Sequence, residues 1–270
     1  MYPVEDAGRE ALAPLFESLR YFRPMVEGAL QGRFGSAVVD ARRRPRVAAL
    51  YAYPYAVLGG DPASATAREL VRQLPDHARF VVADDRWQEA VAAAHPRRHR
   101  AEDRLAFSSE SLDRSRLDAL AADVPPGFEI RRLDAETARR LSDEVAPHSL
   151  GVYRVGDELV RSGVAFGVFR EGRLVGAATS AAASDTAIEI QIDTNEPFRR
   201  RGLATAVAAT LISDCLERGI DPNWDTASAA SQGLAQSSAT PPPAATVSWS
   251  FDSRSQTAAA QRARPGGVAG

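Results

Sequence analysis

The chain contains no lysine: all 33 of its basic residues are arginine, set against 35 acids. That absence excludes a Walker-type phosphate loop, whose lysine has to reach the phosphates. The bias itself reads as the coding of a GC-rich genome rather than as chemistry. Cysteine is almost as scarce. Cys215 is alone and falls on an apolar helical row, so it reads as a core residue in a reducing compartment rather than as a nucleophile. No apolar run approaches the roughly 20 residues of a membrane span, and MYPVEDAGREALAPLFESLRYF has acids where a secretory leader needs positive charge. These features predict a cytoplasmic protein with no membrane partner. An excess of basic charge is missing too. The formal net charge is −2, so the runs ARRRPR and PRRHR need local explanations and nucleic acid is disfavoured as a partner.

What is present is an ordinary globular composition, 44% hydrophobic and 25% charged over 270 residues, enough for two modest cores. Residues 6–31 carry apolar side chains at helical spacing, broken by Pro24. SAVVD and RVAALYAY flank the polar stretch ARRRP and predict a hairpin whose arginines are a solvated turn. YAVLGGDP reads as a strand and turn, ASATARELVRQL as a helix starting near Ser64, and ARFVVAD as another strand. Residues 95–126 are polar and end in Pro125-Pro126, which places a domain boundary there. The expected organisation is an α/β domain over 1–125, a second unit over 126–236, and a tail over 237–270 whose Ser, Ala, Thr, Pro and Gly predict disorder.

In the second unit, GFEIRRL predicts a strand and DAETARRLSDEV a helix capped by Asp134. SGVAFGVFR and RLVGAATS predict two strands joined at Glu171-Gly172. In AIEIQID, Ile188, Ile190 and Ile192 alternate with Glu189, Gln191 and Asp193, so one face is apolar and the other polar. PFRRRGLATAV follows. Three guanidinium groups at a helix start oppose the positive end of the helix dipole unless an anion meets them. Gly202 lets a ligand approach the main chain, so a strand, an arginine-glycine loop and a helix together describe a phosphate site.

Arg199-x-x-Gly202-x-Ala204 in this setting resembles the acetyl-CoA pyrophosphate loop of the GNAT-fold N-acetyltransferases, and the order of elements is similar to that fold from about residue 127 to 236. GRFGSAVVDARRRPRVAALYAY and YAVLGGDP are similar to the N-terminal part of a subgroup related to an antibiotic self-resistance, zwittermicin-resistance-like, acetyltransferase. The resemblance implies a mixed α/β (α+β), mostly antiparallel sheet flanked by helices, preceded by a smaller α/β domain. It implies acetyl-CoA as co-substrate and a small-molecule amine as acceptor. It also implies that Arg199, Arg200, Arg201, Gly202, Leu203, Ala204 and Thr205 hold the pyrophosphate, while the strand bearing Ile190, Ile192 and Asp193 pairs with the pantetheine arm. Surface charge is the other reading of Arg200 and Arg201.

Amine acylation from a thioester needs proximity, a base for the ammonium proton and a donor for the departing thiolate. Glu189 is the candidate base; the other reading has Glu189 and Asp193 simply facing solvent. The tyrosine that serves relatives as donor is missing from LAQSSATPPP, and Ser228 stands where relatives often have asparagine. The second function class is therefore a non-catalytic acyl-CoA-binding protein. A slip of reading frame after Gln236 would account for the missing tyrosine and for the missing last strands. His148 has no second histidine at ligand spacing, so no metal is expected, and Tyr153 is placed near the acceptor. The acidic strand face would suit a cationic acceptor.

Overall fold

A computed structural model describes residues 1–19, 22–75, 79–82, 85–95, 99–107, 109, 112–226 and 244–251. Twelve strands form one mixed, mostly antiparallel sheet flanked by helices. Its first half runs β1 (Tyr2–Val4), β2 (Ser36–Val39), β3 (Val47–Ala52), β4 (Tyr55–Gly60) and β5 (Arg79–Val82). β2 and β3 form the expected hairpin around the arginine turn, where Arg44 has φ 52°. Helix α1 (Arg23–Leu30) follows an eleven-residue 3₁₀ segment, Asp6–Phe16. The helical pattern breaks ahead of Pro24, which itself falls in the first turn of α1, at a position whose N–H has no helical partner to lose. α2 (Ala65–Arg72) starts at Ser64, whose side chain accepts from Thr66 N, and crosses from β4 to the parallel β5. α3 (Asp85–Ala94) follows.

The polar segment 95–126 contains a strand, β6 (His99–Phe107), and a helix, α4 (Arg114–Ala122). β6 lies inside the sheet rather than in a linker. Beyond it come β7 (Glu129–Arg132), the short helices α5 (Ala135–Ala138), α6 (Leu141–Glu144) and α7 (Gly156–Ser162), then β8 (Ala165–Arg170), β9 (Arg173–Ala183) and β10 (Ala187–Thr194). Asp134 caps α5 as expected, accepting from Thr137 N at 2.8 Å. Glu171 and Gly172 both have positive φ, the conformation a tight hairpin turn requires. α8 (Leu203–Glu217) connects β10 to the parallel β11 (Asp221–Thr226). Part of the tail read as disordered forms β12 (Ala244–Phe251), which inserts between β5 and β6. The rest of 237–270, Ser228 and the LAQSSATPPP stretch lie outside the described residues.

The core does not break near residue 125. One apolar cluster joins Leu12, Phe16, Met25, Leu50 and Val57 to Leu133, Leu141, Leu159 and Phe169. A second puts Phe107 and the fully buried Leu117 of α4 against Val207, Leu211 and Cys215 of α8. Polar contacts cross as well: Arg23 pairs with Asp221 at 2.7 Å, Arg33 with Asp185, and Ser184 Oγ donates to Glu27 at 2.8 Å. Among the described residues no helix is long and apolar enough to cross a membrane.

Candidate functional site

β10 alternates as its sequence dictates. Ile188 and Ile190 are buried against α8, while Glu189, Gln191 and Asp193 point to the other face. Its pairing changes abruptly at Glu189. Ala187–Glu189 pair with Asp221–Asn223 of β11; beyond that β11 turns to β6, with Trp224 opposite Phe107. From Ile190 to Thr194, β10 pairs among the described residues with β9 alone. The two parallel strands thus diverge into a wedge. A bulge at the same level, with Ala181 unpaired between Ala182 and Ser180, sharpens the divergence by adding local twist. Its carbonyl is occupied: Ala181 O accepts from Val152 N at 2.8 Å. That approach needs glycine at 151, where φ is 61° and an added Cβ would lie 2.2 Å from the same carbonyl.

Glu189 sits at the apex. One carboxylate oxygen accepts from Asp225 N at 2.9 Å, and the other from the Asn223 side-chain amide. The side chain therefore clasps the last paired residues of the two strands. Two residues' pitch further along the same face stands Gln191, then Asp193, whose Oδ1 lies 2.7 Å from His148 Nε2 and whose Oδ2 accepts from Ser149 Oγ at 2.8 Å.

At the mouth of the wedge the three arginines take different roles. Arg199 is extended and its Nε donates to Thr194 O at 2.9 Å, tying the loop to the end of β10. Arg200 is left-handed, with φ 58°, and its guanidinium has no partner among the described residues. Arg201 turns back on Pro197 O and the Phe198 ring. Gly202 is left-handed too, with φ 80° and ψ −9°. Positive φ at 200 and 202 curls the chain so that successive N–H groups face one concavity. Among the described residues no acceptor is bonded to the amides of 200–205, and the first helical bond here is Ala206 N to Gly202 O. The concavity, about 170 Å³, is lined by Thr194, Phe198, Arg199, Arg200, Gly202, Leu203, Ala204 and Thr205. Arg201 does not line it. Nothing lies within 4 Å of where a Gly202 Cβ would be, so the space over the main chain is open. A pyrophosphate fits this arrangement by its charge and by the donors offered.

Two further pockets lie where the N-terminal strands meet the second half, the smaller of them against Gln191 of β10. One, about 400 Å³, is lined by Pro54, Tyr55, Arg79, His148, Gly151, Val152, Ala181 and Gln191. The other, about 580 Å³, shares Pro54, His148, Gly151 and Val152 and adds Tyr53, Ser142, Leu150, Tyr153 and Arg154. Burial pushes the Tyr153 phenol up to about 12, so it stays neutral at physiological pH. Sequence reasoning missed Arg79 and the His148–Asp193 contact. Neither had a signal: Arg79 reaches the pocket from the N-terminal half, and His148 meets Asp193 only when the loop after α6 packs against the end of β10. Cys215 is buried against α4, and burial pushes its thiol up to about 12, as befits a core residue.

A left-handed loop at a helix start, a wedge between parallel strands and a carboxylate at its apex together make up the candidate site. The family model described as GNAT acetyltransferase matches residues 13–237, and the chain belongs to that family. Membership implies acyl transfer from an acyl-CoA to an amine. A GCN5-related N-acetyltransferase-like protein from Streptococcus suis has the same fold at 25% identity, with TM-score 0.77 over 92% of this chain and 100% of that one. A GCN5-related N-acetyltransferase from Kribbella flavida superposes with TM-score 0.59 at 16% identity, covering 90% of this chain and 98% of its own. The Bacillus subtilis protein named uncharacterized N-acetyltransferase YdfB is 28% identical over 102 residues, which is 38% of this chain and 39% of that protein.

Proposed function

We propose that this protein transfers the acetyl group of acetyl-CoA to the amine of a small-molecule acceptor. The observation that carries the reading is the wedge between β10 and β11, with unpaired amides at its mouth and Glu189 at its apex. In this reading the amides of 200–205 and the Arg200 guanidinium hold the pyrophosphate by charge-assisted hydrogen bonds. The unpaired main-chain edge through Ile190, Ile192 and Asp193 takes the pantetheine arm. Bound acetyl-CoA supplies an already activated thioester. The work left to the protein is positioning and proton transfer. Glu189 takes the proton of the acceptor ammonium, directly or through a water. Its bonds from Asn223 and Asp225 fix the carboxylate plane. The N-terminal half, read as that of the antibiotic self-resistance subgroup, walls the acceptor pocket.

A thiol-release assay over an amine panel, with calorimetry of acetyl-CoA binding, tests the proposal. Glu189→Gln should lower kcat by about 100-fold or more and change acetyl-CoA affinity by less than about 3-fold. Equal loss of both, or of neither, removes Glu189 from the mechanism. The absence of a tyrosine from LAQSSATPPP favours one other reading, a non-catalytic acyl-CoA-binding protein. Binding without turnover would support it, and no binding at all would overturn both.

A further inference from the structure

The polar face of β10 looks acidic in sequence, yet its acids are already engaged. Both Glu189 oxygens accept hydrogen bonds across the wedge. Both Asp193 oxygens are held as well, Oδ1 by His148 and Oδ2 by Ser149 and by Gln191 Nε2 at 3.1 Å. Neither acid lines the pockets, and among the described residues no other carboxylate does. The cations are in the opposite condition. Arg79, the first residue of β5, lines the smaller pocket, and its guanidinium has no hydrogen-bond or ion-pair partner among the described residues. Arg154 lines the larger one. Among the described residues only its main-chain N–H is engaged, by Glu158. The charge left unbalanced on these walls is therefore positive, the reverse of what the strand alone suggests.

We infer that the acceptor is an amine that also carries an oxyanion, a carboxylate or a phosphate, and that Arg79 seats that oxyanion. The inference rests on the reading above for the identity of the pocket as the acceptor site. Arg79 stands on the wall supplied by the N-terminal half; Gln191 and the Ala181 bulge stand on the opposite wall, beside Glu189. An acceptor spanning the pocket with its anion on Arg79 presents its amine to the strand that bears the base. A guanidinium suits this task because its planar fork matches two oxygens of one oxyanion at once. Pro54, Tyr55 and Val152 add apolar wall between the two ends, so the group joining amine and anion can be hydrophobic. The N-terminal half is then the specificity element of the enzyme.

Titration calorimetry of the full chain, with and without CoA and at one fixed ionic strength, tests this with matched probes. Phenylalanine is compared with phenylalaninamide and phenethylamine, and phosphoethanolamine with ethanolamine. The anionic member of at least one set should bind about 10-fold tighter or more, the set that responds identifying the oxyanion. Arg79→Gln should bring that ratio below about 3-fold, and Arg79→Lys should keep its direction. Equal or tighter binding of the neutral members overturns the inference, as does a preference that survives in Arg79→Gln or a failure of every probe to bind. Failure of CoA itself to bind would count against the proposed activity alone, since the probe comparison without CoA still judges Arg79.

Discussion

Arg199 stands apart as the head of the motif, but only the backbone separates Arg200 from Arg201. Arg200 occupies the left-handed region at φ 58°, a conformation that costs a side-chain-bearing residue roughly 1–2 kcal/mol. Arg200→Gly should therefore raise stability by up to about 1 kcal/mol while weakening CoA binding, a trade that chemical denaturation and calorimetry would expose together. Gly202→Val should do harm on both counts. An added Cβ has no described atom within 4 Å beyond the adjoining chain, but the φ of 80° is unsuited to a β-branched residue and the side chain stands over the amides. A CoA affinity within about 2-fold of wild type in Gly202→Val would mean that the loop is only a helix start. The motif and its glycine were legible because the helix dipole makes clustered cations there anomalous. Which guanidinium stays unpartnered was not, because it follows from two dihedral angles set when the loop closes.

Elements with local signals were legible for local reasons. The α2 start at Ser64 and the α5 start at Asp134 each rest on a side chain that accepts a main-chain N–H within three residues. Ser64→Ala should cost about 1 kcal/mol in urea unfolding, with acetyl-CoA affinity untouched. The β2–β3 and β8–β9 hairpins were equally readable from apolar runs around short turns. β6 was not, since a polar strand bounded by histidine and arginine resembles a linker until partners on both sides, β11 and β12, supply its ladder. β12 has the same history. It pairs with β6 along its whole length, Ala244–Phe251, and with β5 at Trp249 and Ser250. Removing residues 244–251 should leave those two strands with open edges, lower the midpoint of thermal unfolding and promote association at raised protein concentration.

At the scale of the whole molecule, an apolar cluster crosses the boundary that the sequence places near residue 125. Leu133, Leu141 and Phe169 share a cluster with Leu12 and Leu50 because α1 and the 3₁₀ segment pack across the divide. Residues 126–236 expressed alone should consequently fail to unfold cooperatively, a result checked by the coincidence of fluorescence and circular dichroism transitions. The same burial sets an alkaline limit. Cys215 and Tyr153 ionise near 9.0 and 10.0 when unfolded and only at about 12 in the native protein. Their contribution to stability is thus full below about pH 9 and is lost as pH rises toward 12. A urea midpoint at about pH 10.5 lower than at about pH 8, with the slope reduced in Cys215→Ala, is the expected outcome.

The wedge has a last consequence for how the molecule breathes. A strand paired on one edge only exchanges its outward amide protons with solvent far faster than one paired on both, whatever the stability of the rest. Over Ile190–Thr194, deuterium uptake should be rapid at the amides that face away from β9 and slow at those bonded to it. A thioester arm lying in the gap would act as a temporary neighbouring strand. Uptake at the outward amides would then fall on adding CoA, while Ala187–Glu189, already clamped by β11, would record no change.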